Sequence, residues 1–144
     1  MLHLDPETKM MIDKGVQVIH QLNENGFKAY LVGGCVRDLL LGRRVHDLDV
    51  CTDATPQQVA AVFKRAVLTG IKYGTVTVFS GETPVEVTTF RAESGYVKAR
   101  RPKQVTFVSD LITDLSRRDF TINAIAMDGS GRLIDPFDGR QDIV

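Results

Sequence analysis

Cysteine is scarce. Cys35 and Cys51 are the only two in 144 residues, so the chain has neither a disulfide framework nor a metal-spaced cysteine cluster. Both read as small buried hydrophobes of a cytosolic, cytoplasmic protein. No apolar run approaches the ~20 residues that a membrane-spanning helix needs, which sets a membrane partner aside. The first ten residues carry Asp5 and Glu7 and no apolar stretch of the signal-peptide kind. No internal repeat, low-complexity segment or interdomain linker is found. Net charge is missing as well: 18 basic residues balance 18 acidic ones, which excludes a uniformly basic nucleic-acid binder. What is present is an ordinary globular mixture, 43% apolar and 25% charged. The length fits one domain with a real core, since a chain near ~150 residues buries roughly 70% of its unfolded surface.

The neutrality is a cancellation. Residues 91–118 hold seven basic side chains (Arg91, Lys98, Arg100, Arg101, Lys103, Arg117 and Arg118) against three acidic ones, a net of +4. Residues 119–144 hold two basic and five acidic, a net of −3. A local basic stretch can attract phosphate, although solvated surface loops commonly look the same.

Residues 7–25 predict a helix, with Met11, Val16, Ile19 and Leu22 at helical spacing and Gly26 as a stop. Residues 29–32 form a short apolar strand, broken by Gly33-Gly34, and 35–41 resume a helical pattern. Residues 47–52 alternate as a half-buried strand does. Thr55-Pro56-Gln57-Gln58 opens the next helix, with Thr55 as N-cap, Pro56 in the first turn and Gln58 completing a capping box. Strands at 75–80 and 84–90 flank Gly81-Glu82-Thr83 as a hairpin. Residues 91–103 read as a polar, basic loop and 105–108 as a short strand. A helix capped by Asp110 follows over 110–117, and strands at 124–128 and 132–134 flank a Gly-Ser-Gly turn. The sum is an α/β (α+β) domain: a mixed five- or six-stranded sheet flanked by helices.

Asp47 and Asp49 lie two apart on a predicted strand, so both carboxylates share one face while Leu48 and Val50 face the core. Same-face neighbours along a strand sit roughly 6–7 Å apart, a spacing from which two side chains can converge on a hard cation. Glu86 repeats the logic between Val85 and Val87. If the two strands are neighbours, three carboxylates meet on one face and a divalent cation is the natural compensation. Taken alone, Asp-x-Asp is common on exposed strand faces. Gly33-Gly34 adds a turn through which a ligand can approach the backbone closely, with Arg37 one helical turn on. The segment is neither a Walker A loop nor a dinucleotide-binding fingerprint, and a plain strand–turn–helix connection has the same form.

Four motifs then stand in order: Leu31-Val32-Gly33-Gly34-Cys35-Val36-Arg37-Asp38, Asp47-Leu48-Asp49, Val85-Glu86-Val87-Thr88-Thr89-Phe90-Arg91, and Arg117-Arg118-Asp119-Phe120-Thr121-Ile122-Asn123-Ala124, closed by Ile134-Asp135-Pro136-Phe137. Together they closely resemble the catalytic head of the class II tRNA CCA-adding enzymes and bacterial poly(A) polymerases, in the polymerase-β-like nucleotidyltransferase superfamily. The match runs from about residue 29 to 143.

The resemblance implies the following. Asp47 and Asp49 are similar to the metal ligands of the family's first carboxylate motif, and Glu86 to its third active-site carboxylate. Gly34 and Arg37 look like triphosphate contacts, with Gly33 shaping the turn. Arg118 resembles a nucleotide-binding arginine and Asp119 a residue that helps recognise the ribose. Asn123 closes the same motif in a structural role. Residues 92–104, with Tyr96, Arg100, Arg101 and Pro102, are similar to a flexible loop that takes part in adding the terminal A, which weighs against an enzyme adding only the two C residues. The implied cofactor is Mg²⁺, two ions; the implied partners are CTP, ATP and the 3′ end of tRNA. His3, His20 and His46 have no implied role. The family continues into neck, body and tail regions that choose the base and hold tRNA. The expectation is therefore one catalytic head domain over residues 1–144, with 1–28 as its N-terminal helix and neck, body and tail absent. Three rivals stay open: a poly(A) polymerase head, a head that binds nucleotide without turnover, and a basic-loop RNA-binding module.

Overall fold

Asp5 and Pro6 start the first helix. The Asp5 carboxylate accepts from the Thr8 backbone N–H at 2.8 Å, and Pro6 fills the first turn, where no N–H is required. Helix α1 runs over Pro6–Glu24 and ends where Gly26 turns to φ +89°. The computed structural model of the chain describes residues 5–70, 73–96, 102–107, 110–116, 118, 123–139 and 141. Among these residues three further helices follow: α2 (Gly34–Leu40), α3 (Pro56–Val62) and α4 (Leu111–Ser116). The strands are β1 (Ala29–Leu31), β2 (Asp49–Thr52), β3 (Ala66–Gly70), β4 (Thr75–Ser80), β5 (Thr83–Thr89), β6 (Arg91–Tyr96), β7 (Pro102–Phe107), β8 (Ala126–Met127) and β9 (Leu133–Ile134).

Seven strands form one sheet in the order β3-β4-β5-β2-β1-β8-β9, and β6 with β7 forms a separate antiparallel ribbon. The large sheet is antiparallel except where β2 runs parallel to β5. The mixed sheet with flanking helices is the expected class, wider by one strand or two than the five or six expected. Strand β3 was not foreseen because it gives no period-2 signal: its neighbouring residues Val67 and Leu68 are both 50% exposed at the sheet's edge. The loop reading of 91–103 is corrected at both ends, by β6 and by the first residues of β7. Arg-Ala-Glu-Ser-Gly-Tyr has no apolar alternation, so its pairing with β7 left no trace in the sequence pattern.

Alternation in β4 and β5 sends Val76, Val78, Val85 and Val87 to one face, where they are buried with Ile12, Val18, Ile19 and Leu22 of α1 and Val59 of α3. Gly15 lets α1 come close to β1, since a Cβ there would stand 2.8 Å from Leu31 Cδ2. A second, smaller cluster of Val32, Cys51, Phe90, Leu115, Ala124 and Ala126 lies under α4. The capping box forms as the sequence predicts. Gln58 N–H donates to Thr55 Oγ1 at 3.2 Å, and Thr55 N–H donates to Gln58 Oε1 at 2.9 Å. Thr55→Ala is expected to lower the unfolding free energy by about 1 kcal/mol, read from the denaturant midpoint; an unchanged midpoint would mean that the box carries no stability.

Candidate active site

The parallel ladder of β2 and β5 sets the centre of the site. Its register puts Asp49 beside Glu86, and the β4–β5 register puts Thr77 on the other side of Glu86. Leu48 O accepts from Glu86 N–H at 3.1 Å, so the chain already runs alongside β5 before β2 begins. Leu48 and Val50 are buried, as the alternation requires, and Asp49 and Glu86 take the other face. Asp47 precedes the ladder rather than belonging to it, a small correction to the strand expected over 47–52. It nevertheless lines, with Asp49, Thr77, Pro84 and Glu86, one cavity of about 350 Å³.

Burial pushes the Asp49 carboxyl up to about 6, the Glu86 carboxylate beside it adds to the rise, and the Arg118 guanidinium opposes it. The donor set is carboxylate oxygen alone, which suits a hard divalent cation and does not select zinc or copper. Among the described residues no three His, Cys, Asp or Glu side chains are arranged to hold a metal ion as they stand. The fit therefore rests on the donor chemistry and on the crowded negative charge around Asp49.

Gly33 closes the site from the side. Its φ of +75° lies where side chains are strained, and a Cβ there would stand 3.5 Å from Asp49 Oδ2 and 3.7 Å from Arg118 Nη1. The bare backbone thus lies against both the carboxylate and the guanidinium. Gly34 opens α2, and a Cβ there would meet Arg37 Nη2 at 3.1 Å. Arg37 is held on two sides: its Nε donates to Asp38 Oδ1 at 3.2 Å and its Nη1 to Asn123 Oδ1 at 3.3 Å. Arg118 lies with Nη2 3.5 Å from Asp114 Oδ2.

The structure therefore brings Asp47, Asp49, Glu86, Gly33 and Arg118 together and places Gly34 and Arg37 on the adjoining turn. Tyr96 ends β6, whereas Asp119, Arg100 and Arg101 lie outside the described residues. Two contributors escaped the sequence reading. Thr77 is identified only by strand register. Asp114 sits four residues before Arg118, a helical same-face spacing that could have flagged it. Cys35 and Cys51 are buried free thiols, and burial pushes Cys35 up to about 11, so it is inert. Among the described residues no helix is long and apolar enough to cross a membrane.

Known proteins match this arrangement. The model of the poly A polymerase head-domain family matches residues 29–144. The chain is 55% identical over 130 residues to a CCA-adding enzyme of Lactobacillus delbrueckii subsp. bulgaricus, covering 90% of this chain and 33% of that protein. Its fold is similar to the crystal structure of the Bacillus stearothermophilus CCA-adding enzyme in complex with CTP, with a TM-score of 0.84 at 45% identity, over 97% of this chain and 32% of that one. A Thermotoga maritima CCA-adding enzyme complexed with tRNA is similar with a TM-score of 0.69 at 27% identity, over 97% and 32%. The chain spans about a third of the length of the curated relatives it matches.

The raised Asp49 carboxyl has a stability consequence. A carboxyl whose folded pKa exceeds its unfolded one costs nothing below pH 3.8, and the cost develops as pH rises from 3.8 to about 6. Asp49→Asn is expected to raise Tm in metal-free buffer at pH 7.5 by on the order of 5 °C, and to leave it nearly unchanged at pH 3.5. Thermal unfolding in chelator at the two pH values checks this; a lower Tm at pH 7.5 would show that the carboxylate is well compensated by its neighbours.

Proposed function

The chain belongs to the poly A polymerase head-domain family, and on that premise we propose that it is the catalytic head of a CCA-adding tRNA nucleotidyltransferase. It would transfer CMP and AMP from CTP and ATP to the 3′ end of tRNA without a template. The observation that carries this reading is the parallel β2–β5 register, which sets Asp49 beside Glu86 in a cavity that Asp47 also lines.

Asp47, Asp49 and Glu86 are the residues that would hold the divalent cations, Mg²⁺ and two ions in this reading. When bound, such ions lower the pKa of the attacking 3′-hydroxyl and neutralise the pyrophosphate leaving group. The chain's own part is orientation and charge. The Gly33-Gly34 backbone leaves room for phosphate to come against the turn. Arg37, fixed by Asp38 and Asn123, and Arg118 would offer guanidinium groups to the triphosphate, so charge that develops there meets positive groups. Phosphoryl transfer asks for positioning and charge stabilisation rather than a protein nucleophile, which agrees with inert buried cysteines. Asp119 would meet the ribose, and Tyr96, Arg100 and Arg101 would serve in terminal A addition. Base choice and the grip on the tRNA body would fall to neck, body and tail regions, for which the longer relatives have room. The proposed location is the cytoplasm.

The test uses the chain continued through its neck, with Mg²⁺, labelled CTP or ATP, and tRNA lacking its 3′ end. Asp47→Ala combined with Asp49→Ala is expected to lower addition by on the order of 10³-fold or more. Equal addition by the double variant sinks the metal assignment. Use of ATP without CTP replaces this reading with a poly(A) polymerase head, and Mg²⁺-dependent nucleotide binding without extension leaves a head that does not turn over.

A further inference from the structure

A buried carboxylate away from the acidic cavity is left over by the scheme above. Asp114 is 0% exposed, on the short helix α4, and it has partners on two separate segments. Its Oδ1 accepts from the Arg91 backbone N–H at 3.0 Å, where β6 leaves the main sheet. Its Oδ2 faces Arg118 Nη2 at 3.5 Å. The other end of that guanidinium, Nη1, reaches the Gly33 turn beside Asp49.

We propose that Asp114 is a positioning residue: its buried carboxylate, locked by the Arg91 N–H, holds the Arg118 guanidinium against the Gly33 turn so that Arg118 meets the nucleotide triphosphate already oriented.

Burying a carboxylate is costly unless hydrogen bonds and an opposite charge compensate it, and here each oxygen has its own partner. The backbone bond fixes the carboxylate in place, so it cannot swing to follow a wandering arginine. Arg118 in turn has a side chain only 17% exposed, and its Nε is buried with no hydrogen-bond partner among the described residues. The guanidinium is thus tied through Nη2 to Asp114, and its Nη1 lies toward the Gly33 turn, 3.7 Å from where a Cβ would stand. A long, otherwise flexible side chain is held by charge at the end that faces the turn. The nucleotide part of this inference rests on the reading of Arg118 as a triphosphate contact; the anchoring part does not.

The experiment separates the two. The Arg118 Nε–Hε resonance of the 144-residue chain is assigned by its disappearance in Arg118→Lys, and its heteronuclear NOE reports how rigid the side chain is without any nucleotide. Titration with Mg²⁺-CTP then gives the affinity of the wild type, Asp114→Asn, Arg118→Ala and the double variant. The expected result is a folded Asp114→Asn whose Arg118 signal loses its rigid NOE and whose affinity falls about tenfold, with no further loss when Asp114→Asn is added to Arg118→Ala. An unchanged Arg118 signal in folded Asp114→Asn overturns the proposal, as does an equal loss of affinity in the Arg118→Ala background. A loosened Arg118 with wild-type affinity establishes the anchor and overturns the triphosphate contact. If Asp114→Asn does not fold, Asp114→Glu keeps the charge and displaces it by one methylene; a shifted Arg118 signal supports the proposal and an unshifted one overturns it.

Discussion

Everything at this site depends on a single piece of register: β2 lies parallel to β5 with Asp49 beside Glu86. Two carboxylates on one partly buried sheet face are costly: burial first, and the neighbouring Glu86 carboxylate after it, raise the Asp49 carboxyl. The opposite face of the same strands makes it tolerable. Val50, Val76, Val78, Val85 and Val87 are buried there against α1 and α3. Each fully buried aliphatic side chain contributes about 1.5–3 kcal/mol, so the row of valines outweighs one displaced carboxyl several-fold. The sheet keeps its register because a slip of one residue would turn the valines to water and the carboxylates into the core.

The two arginines answer the same problem from the other side. In the proposed reading their positive charge meets a polyphosphate and is most useful when already oriented, and each guanidinium has its own acidic or amide holder: Asp38 and Asn123 for Arg37, Asp114 for Arg118. The holders come from different parts of the chain. Arg37 reaches from the first strand–helix turn to a residue beyond α4, and Arg118 reaches back to that turn. The glycine turn lies where these reaches meet, and its φ of +75° is a conformation that residues with side chains rarely adopt.

Much of this was legible in the sequence, and the limits have physical reasons. Period-2 alternation in 75–80 and 84–90 gave the hairpin, and Thr55 with Gln58 gave the cap of α3, because both are local signals. The motif order pointed to the family and picked out Asp47, Asp49 and Glu86, which line one cavity. No local pattern states that β2 lies beside β5: a parallel neighbour is joined by a long crossover, so its adjacency appears only in the folded sheet. Strands β3 and β6 were invisible because one is exposed at adjacent positions and the other is polar. Asp114 gives no local signal because an acid in a basic stretch ordinarily reads as a solvated charge, whereas here it is fully buried.

The zero net charge takes on a different meaning in this light. The +4 stretch at 91–118 begins and ends on one carboxylate: Arg91 through its backbone N–H and Arg118 through its guanidinium both meet Asp114. A closed loop of chain can lengthen at small entropic cost once its ends are fixed, since that cost grows only with the logarithm of length. A change in the length of the chain between Arg91 and α4 can therefore leave both contacts of Asp114 in place. One buried acid thus ties the start of β6 to the guanidinium beside the Gly33 turn.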